Sequence, residues 1–181
     1  VFAGELYKEH HKVIPKEYRD FFKFTIVRNP YDCIVSVWWA TTHRGQADGP
    51  IEPVPPLKRW AKGGKMIAIL GNDISFENFC RHLPELGQSG THCIHAQPQI
   101  DWIYPNMFDA IIPFEDLNEA WLSLPFNTSK DELKHINATA RKENNNPISR
   151  QSVDYYLTPN TIKHINEFYA DDFAILGYKK K

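Results

Sequence analysis

The chain has 181 residues, 42% apolar and 13% aromatic, enough for one domain with a sizeable core. Its 21 basic and 22 acidic residues nearly cancel, which argues against a general nucleic-acid binder, because that function needs a basic excess. No run approaches the roughly 20 apolar residues of a membrane span, no signal peptide is visible, and three cysteines make no disulfide framework.

The cysteines are Cys33, Cys80 and Cys93, with at most one bridge, for example Cys80 to Cys93; a reducing compartment is the simpler reading. In chain order, residues 5–20 are charged and read as a surface helix interrupted at Pro15. Phe21 to Val27 is a short β-rich run, fit for a buried strand. A helix is predicted next, because Asn29 is a good N-cap, Pro30 suits the first helical position and Asp32 favours the positive end of the dipole. It runs to about His43 and is apolar on most sides (Ile34, Val35, Val37, Trp38, Trp39), which predicts burial. Strand, turn and buried helix form the basic unit of an α/β fold.

Residues 45–65 form a long loop rich in glycine and proline, a feature associated with function or mobility. Residues 75–83 look helical with Ser75 as cap, residues 108–114 form a second core strand, and Glu115 to about Leu124 form a helix. Asn137 to Ser149 is polar and loop-like. The last helix spans about Asn160 to Phe173, capped by Thr158 or Asn160, with Ile162, Ile165, Phe168 and Tyr169 as its apolar stripe. Lys179 to Lys181 is the only like-charge run and reads as a solvated tail.

The chemistry concentrates in Arg28-Asn29-Pro30-Tyr31-Asp32-Cys33-Ile34-Val35-Ser36. An arginine at a strand's end faces the open start of the next helix, where backbone N–H groups and the dipole favour an anion. A guanidinium adds a permanent bidentate clamp for phosphate or sulfate. Ser36, about two turns on, adds a hydroxyl donor. The alternative is Arg28 paired to a core carboxylate and Ser36 buried against backbone.

This string, preceded by Phe22-Lys23-Phe24-Thr25-Ile26-Val27, resembles the donor 3′-phosphate motif of the carbohydrate-type sulfotransferase family, with Cys33 where that family often has arginine. The resemblance implies that Arg28 and Ser36 hold the 3′-phosphate of 3′-phosphoadenosine-5′-phosphosulfate. It extends to His95-Ala96-Gln97-Pro98-Gln99, to Pro113-Phe114-Glu115-Asp116-Leu117, and to the ending Tyr169 to Tyr178. It implies an α/β fold with a mostly parallel central sheet flanked by helices, similar to P-loop nucleotide-binding folds, and a single domain over 1–181. It also places Asn137, Thr139, Arg141 and Lys142 in a segment closing over the nucleotide, with Arg141 or Arg150 as a second phosphate ligand, or else in a solvated basic loop.

Family members begin with a strand and a glycine-containing loop that binds the 5′-phosphosulfate, and residues 1–23 hold no match. The expectation is an N-terminally truncated member without its first strand, or else a divergent one, with weakened or absent activity. His95 is the first choice of general base, ahead of His92, His10 and His11; Glu115 reads as a helix-start carboxylate. The acceptor is a carbohydrate or another hydroxyl compound by resemblance. The resemblance implies the Golgi lumen for a eukaryotic member and the cytoplasm for a bacterial one, with the cytoplasm favoured.

Three rivals stand beside this reading. Cys80, His82, His92, Cys93 and His95 are zinc-type ligands, but their spacing is not a common zinc pattern, and no metal is expected. A noncatalytic remnant that binds nucleotide or sulfated glycan is the second. A nucleotide kinase is the third, and it lacks the Gly-x-x-x-x-Gly-Lys-[Ser/Thr] loop it would need. Trp38, Trp39, Trp60 and Trp102 are offered either to sugar or base stacking or, more simply, to the core.

Overall fold

A computed structural model describes residue 16 and residues 19–43, 69–71, 73–87, 94–103, 107–128, 133 and 151–181. In chain order the elements are β1 (Phe24–Val27), α1 (Pro30–His43), α2 (Phe76–Arg81), α3 (Leu83–Leu86), β2 (Ala110–Pro113), α4 (Leu117–Ser123), α5 (Val153–Tyr156), α6 (Pro159–Phe168) and α7 (Ala170–Leu176). Short 3-10 turns lie at Ile94–Ala96, Gln99–Trp102 and Phe114–Asp116. The class is α/β, as the strand–helix alternation predicts. The helix expected before residue 16, the loop 45–65 and the polar segment 137–149 lie outside the described residues. Among the described residues no helix is long and apolar enough to cross a membrane.

The chain divides into two compact units, residues 1–27 with 99–133 and residues 28–98 with 134–181. In the first, β1 and β2 pair in parallel, with Phe24 opposite Ala110 and Val27 opposite Pro113. Both expected strands are present and shorter than the apolar runs that announced them. A reciprocal clasp opens the ladder: the Lys23 N–H donates to Asp109 Oδ2 at 2.7 Å and the Asp109 N–H donates to the Lys23 carbonyl at 2.7 Å. Lys23 Nζ completes it at 3.3 Å from the same carboxylate. Helix α4 packs on β2. The Phe24 ring stacks on Phe126 at 5.5 Å and meets Trp121 edge-on at 6.5 Å.

The second unit holds the larger apolar core, contributed by α1, α2, α3, α6 and α7. Helix α1 enters it through Tyr31, Ile34, Val35 and Trp38, all buried and spaced as one stripe. Its burial is therefore one-sided, with Val37 and Trp39 only partly buried. Trp38 is a core residue: its indole N–H donates to the Ile74 carbonyl at 2.9 Å, and its ring packs edge-on against Phe76 and Tyr156 at 5.2 and 5.1 Å.

Ser75 caps α2 as expected, its hydroxyl accepting the Asn78 N–H at 3.2 Å. The helix predicted over 75–83 breaks at His82, and α3 follows with Pro84 in its first turn. Buried Asn78 ties the preceding loop down by donating to the carbonyls of Leu70 at 3.0 Å and Asp73 at 2.7 Å.

Thr158 caps α6 through a reciprocal capping box with Thr161, with Pro159 at the first helical position. The predicted last helix is interrupted at Tyr169, where φ is −99° and ψ is 29°. There the buried Tyr169 hydroxyl donates to the Ala96 carbonyl at 2.6 Å, a tertiary bond made at the point where the two helices meet. Gly177 ends α7 at φ 77°, a left-handed conformation that favours glycine, and the chain turns back.

Candidate functional site

Asn29, Pro30 and Asp32 act as their residue types predict. Asn29 Oδ1 accepts the Tyr31 N–H at 3.0 Å, its carbonyl accepts the Cys33 N–H at 2.9 Å, and α1 begins at Pro30. This narrows the expected anion site. Proline has no N–H and the Tyr31 N–H is already engaged, so the first two helical positions offer no open amide. Positive charge at this end of α1 comes chiefly from Arg28.

The Arg28 guanidinium lies 3.5 Å from Asp32 Oδ1 in an i,i+4 pair, with both side chains partly exposed. Asp32 is a first-turn carboxylate rather than a core acid, and exposed pairs of this kind are worth about 0–1 kcal/mol. Ser36 is half-buried, one turn beyond Asp32. Side chains four apart share a helix face, so Asp32 and Ser36 lie on one face of α1, and Arg28, just before the cap, reaches that face through its pair with Asp32. The role of Asp32 was not anticipated, although the Arg-x-x-x-Asp spacing carries the signal.

Cys33 follows Asp32 on α1 and is half-buried. Burial raises its thiol to about 11; Arg28 works in the opposite direction, and Asp172 and Asp32 add to the rise. Asp172 is itself fully buried, in the first turn of α7. Cys33 and Cys80 are both free thiols, so Cys80 forms no bridge to Cys93, which lies outside the described residues.

His95 sits exposed on the turn Ile94–Ala96, which packs against α1 and α3. The Tyr169 hydroxyl bond to Ala96 fixes this turn from below. Structure therefore brings the His95 turn to the helix that carries Asp32 and Ser36. Arg141, Arg150, His92, His10, His11 and Trp60 lie outside the described residues. Glu115 is exposed in the turn Phe114–Asp116, and Trp102 is half-buried. Among the described residues no group of His, Cys, Asp and Glu gathers as a metal site; the His82 ring nitrogen Nδ1 is instead 2.9 Å from the Asn78 carbonyl oxygen.

Neither a curated protein nor a solved structure matches the chain. A family model described as the sulfotransferase family matches residues 3–179, nearly the whole length and all of the elements above. The α/β class, with its small parallel sheet flanked by helices, agrees with that match. On this evidence the chain belongs to the sulfotransferase family.

Proposed function

We propose that this protein transfers a sulfuryl group from 3′-phosphoadenosine-5′-phosphosulfate to an acceptor hydroxyl, most simply on a carbohydrate. The observation that carries the donor assignment is the Arg28 guanidinium set just before the start of α1 and paired with Asp32, whose helix face also holds the Ser36 hydroxyl one turn on. Arg28 supplies the permanent charge and a planar fork of donors for the 3′-phosphate, and Ser36 supplies one neutral hydrogen bond. Asp32 neutralises Arg28 until the nucleotide arrives.

His95 is the proposed base. Its exposed imidazole stands on a turn that is held rigid and packed on the same helix. It takes the proton of the acceptor hydroxyl as that oxygen attacks sulfur, while the bond from sulfur to the donor's bridging oxygen breaks and adenosine 3′,5′-bisphosphate leaves. The remainder of catalysis is positioning and charge stabilisation, by analogy with phosphoryl transfer.

Calorimetric titration with adenosine 3′,5′-bisphosphate, beside transfer from radiolabelled donor to a panel of glycans, tests this reading. Arg28→Ala is expected to weaken nucleotide binding by about 10- to 100-fold, the range for hydrogen bonds to a charged group, and Ser36→Ala by about fivefold. Unchanged binding in Arg28→Ala rejects the donor assignment. Binding without transfer to any hydroxyl acceptor favours a noncatalytic nucleotide-binding protein.

A further inference from the structure

Tyr31 occupies the second position of α1, three residues after Arg28, and is only 1% exposed. Its ring packs on Phe173 at 5.1 Å. A buried phenol needs partners for its hydroxyl, and this one has two from distant parts of the chain. It accepts the Lys181 N–H at 2.8 Å and donates to Asn166 Oδ1 on α6. The Asn166 amide then donates to the Lys181 carbonyl at 3.0 Å, closing a ring of three hydrogen bonds.

The charged ends of the tail reinforce this ring. Lys181 Nζ pairs with Asp154 on α5 and lies 5.8 Å over the Tyr31 ring, and Lys180 Nζ lies 5.8 Å over Phe173. The run from Lys179 to Lys181 is thus not simply solvated, as composition suggested: the backbone of Lys181 is bound at both its N–H and its carbonyl. Gly177 makes this possible by reversing the chain after α7. Ordering such a tail costs conformational entropy, and Lys181 meets Tyr31 twice, through its N–H at the hydroxyl and its ammonium over the ring.

Tyr31 is fixed at both ends. Asn29 holds its backbone N–H and the ring of hydrogen bonds holds its hydroxyl. Arg28 is the next residue outward from the cap, so the path of its side chain depends on how firmly the first turn of α1 is held. We propose that Tyr31 is a positioning residue for the phosphate clamp and that residues 177–181 are the strap that secures it. This rests on the assignment of Arg28 and Ser36 to the 3′-phosphate.

The test compares adenosine 3′,5′-bisphosphate with adenosine 5′-monophosphate by calorimetry. The ratio of the two affinities reads the 3′-phosphate contact and is insensitive to a general loss of folded protein. Tyr31→Phe removes only the hydroxyl. Lys181→Pro removes the donor that reaches it from the tail together with the lysine side chain, and serves if the first variant folds poorly; Lys181→Ala removes that side chain but retains the donor, so the difference between the two reads the N–H alone. The expected result is that Tyr31→Phe and Lys181→Pro each lower the preference for the bisphosphate about fivefold, the scale of one hydrogen bond. Lys181→Ala should lower it less, and the double variant no further than either single one. A preference that Arg28→Ala abolishes but Tyr31→Phe and Lys181→Pro leave intact overturns the strap alone. A parent protein with no preference, or an Arg28→Ala protein that keeps it, overturns the phosphate assignment and this inference with it.

Discussion

Asp32 stands between the two groups assigned to the donor phosphate, one helical turn from Arg28 at 3.5 Å and one turn before Ser36. Under the proposed assignment an incoming dianion would meet a carboxylate already paired with its cationic partner. Removing that charge should therefore help binding. Asp32→Asn is expected to tighten adenosine 3′,5′-bisphosphate by about two- to fivefold, since an exposed pair of this kind is worth about 0–1 kcal/mol. The same change should lower thermal stability slightly, because a first-turn acid favours the helix dipole by about 0.3–1 kcal/mol. Calorimetry and a melting curve on the same sample separate the two effects, and weaker nucleotide binding would contradict the first.

Gly87 follows α3 where three groups crowd it. A methyl there would lie 2.6 Å from the Phe168 ring, 3.1 Å from the Leu83 carbonyl and 3.2 Å from the Ala96 carbonyl. The ring has some freedom, but the two carbonyls belong to fixed backbone. Gly87→Ala should destabilise the second unit by about 1–3 kcal/mol, as overpacking does. Because Ala96 follows His95, the strain should also reach the turn carrying the proposed base. A melting temperature equal to the parent's would refute the crowding.

The Asp109 carboxyl is held below its ordinary value, first by the Lys23 backbone N–H and, against an opposing desolvation, also by the Lys23 side chain. A carboxyl lowered in the folded state contributes stability above its unfolded value of about 3.9. That contribution is lost as pH falls through the lower, folded value. Hydrogen exchange at the β1–β2 amides should accordingly quicken below about pH 3.9 in the parent. Asp109→Asn should lose this acid dependence, and a variant with the parent's profile would show that the clasp does not couple to strand pairing.

Cys33 and Cys80 should resist alkylation in the native protein at pH 8. Burial raises both thiols, Cys33 to about 11, so the reactive thiolate is scarce at that pH. Peptide mapping after iodoacetamide treatment should find both unlabelled until denaturant is added. Native labelling at Cys33 would mean that the packing around α1 is looser than the structure indicates.

Local signals made α1 legible in the sequence. Asn29, Pro30 and Asp32 fix its start by short-range chemistry, and the stripe of Tyr31, Ile34, Val35 and Trp38 fixes its inward face. The arginine–serine spacing was equally visible, because both groups belong to one stretch of chain. What escaped depends on distant partners. The buried Tyr169 hydroxyl finds its partner in Ala96, and the fate of Lys181 is set by Tyr31 and Asn166. Helix α5 was also missed: four residues are too few to show a period.

The division of α1 into an inward stripe and a polar flank has a consequence for how such a protein changes over generations. The azimuth of the helix is set by how Ile34, Val35 and Trp38 seat in the interior, and that same azimuth aims Asp32 and Ser36. A methyl group gained or lost inside thus re-aims the outer row without altering any of its members. A lineage retuning this interior for a warmer or colder habitat would re-aim the groups of the proposed phosphate clamp in the same step.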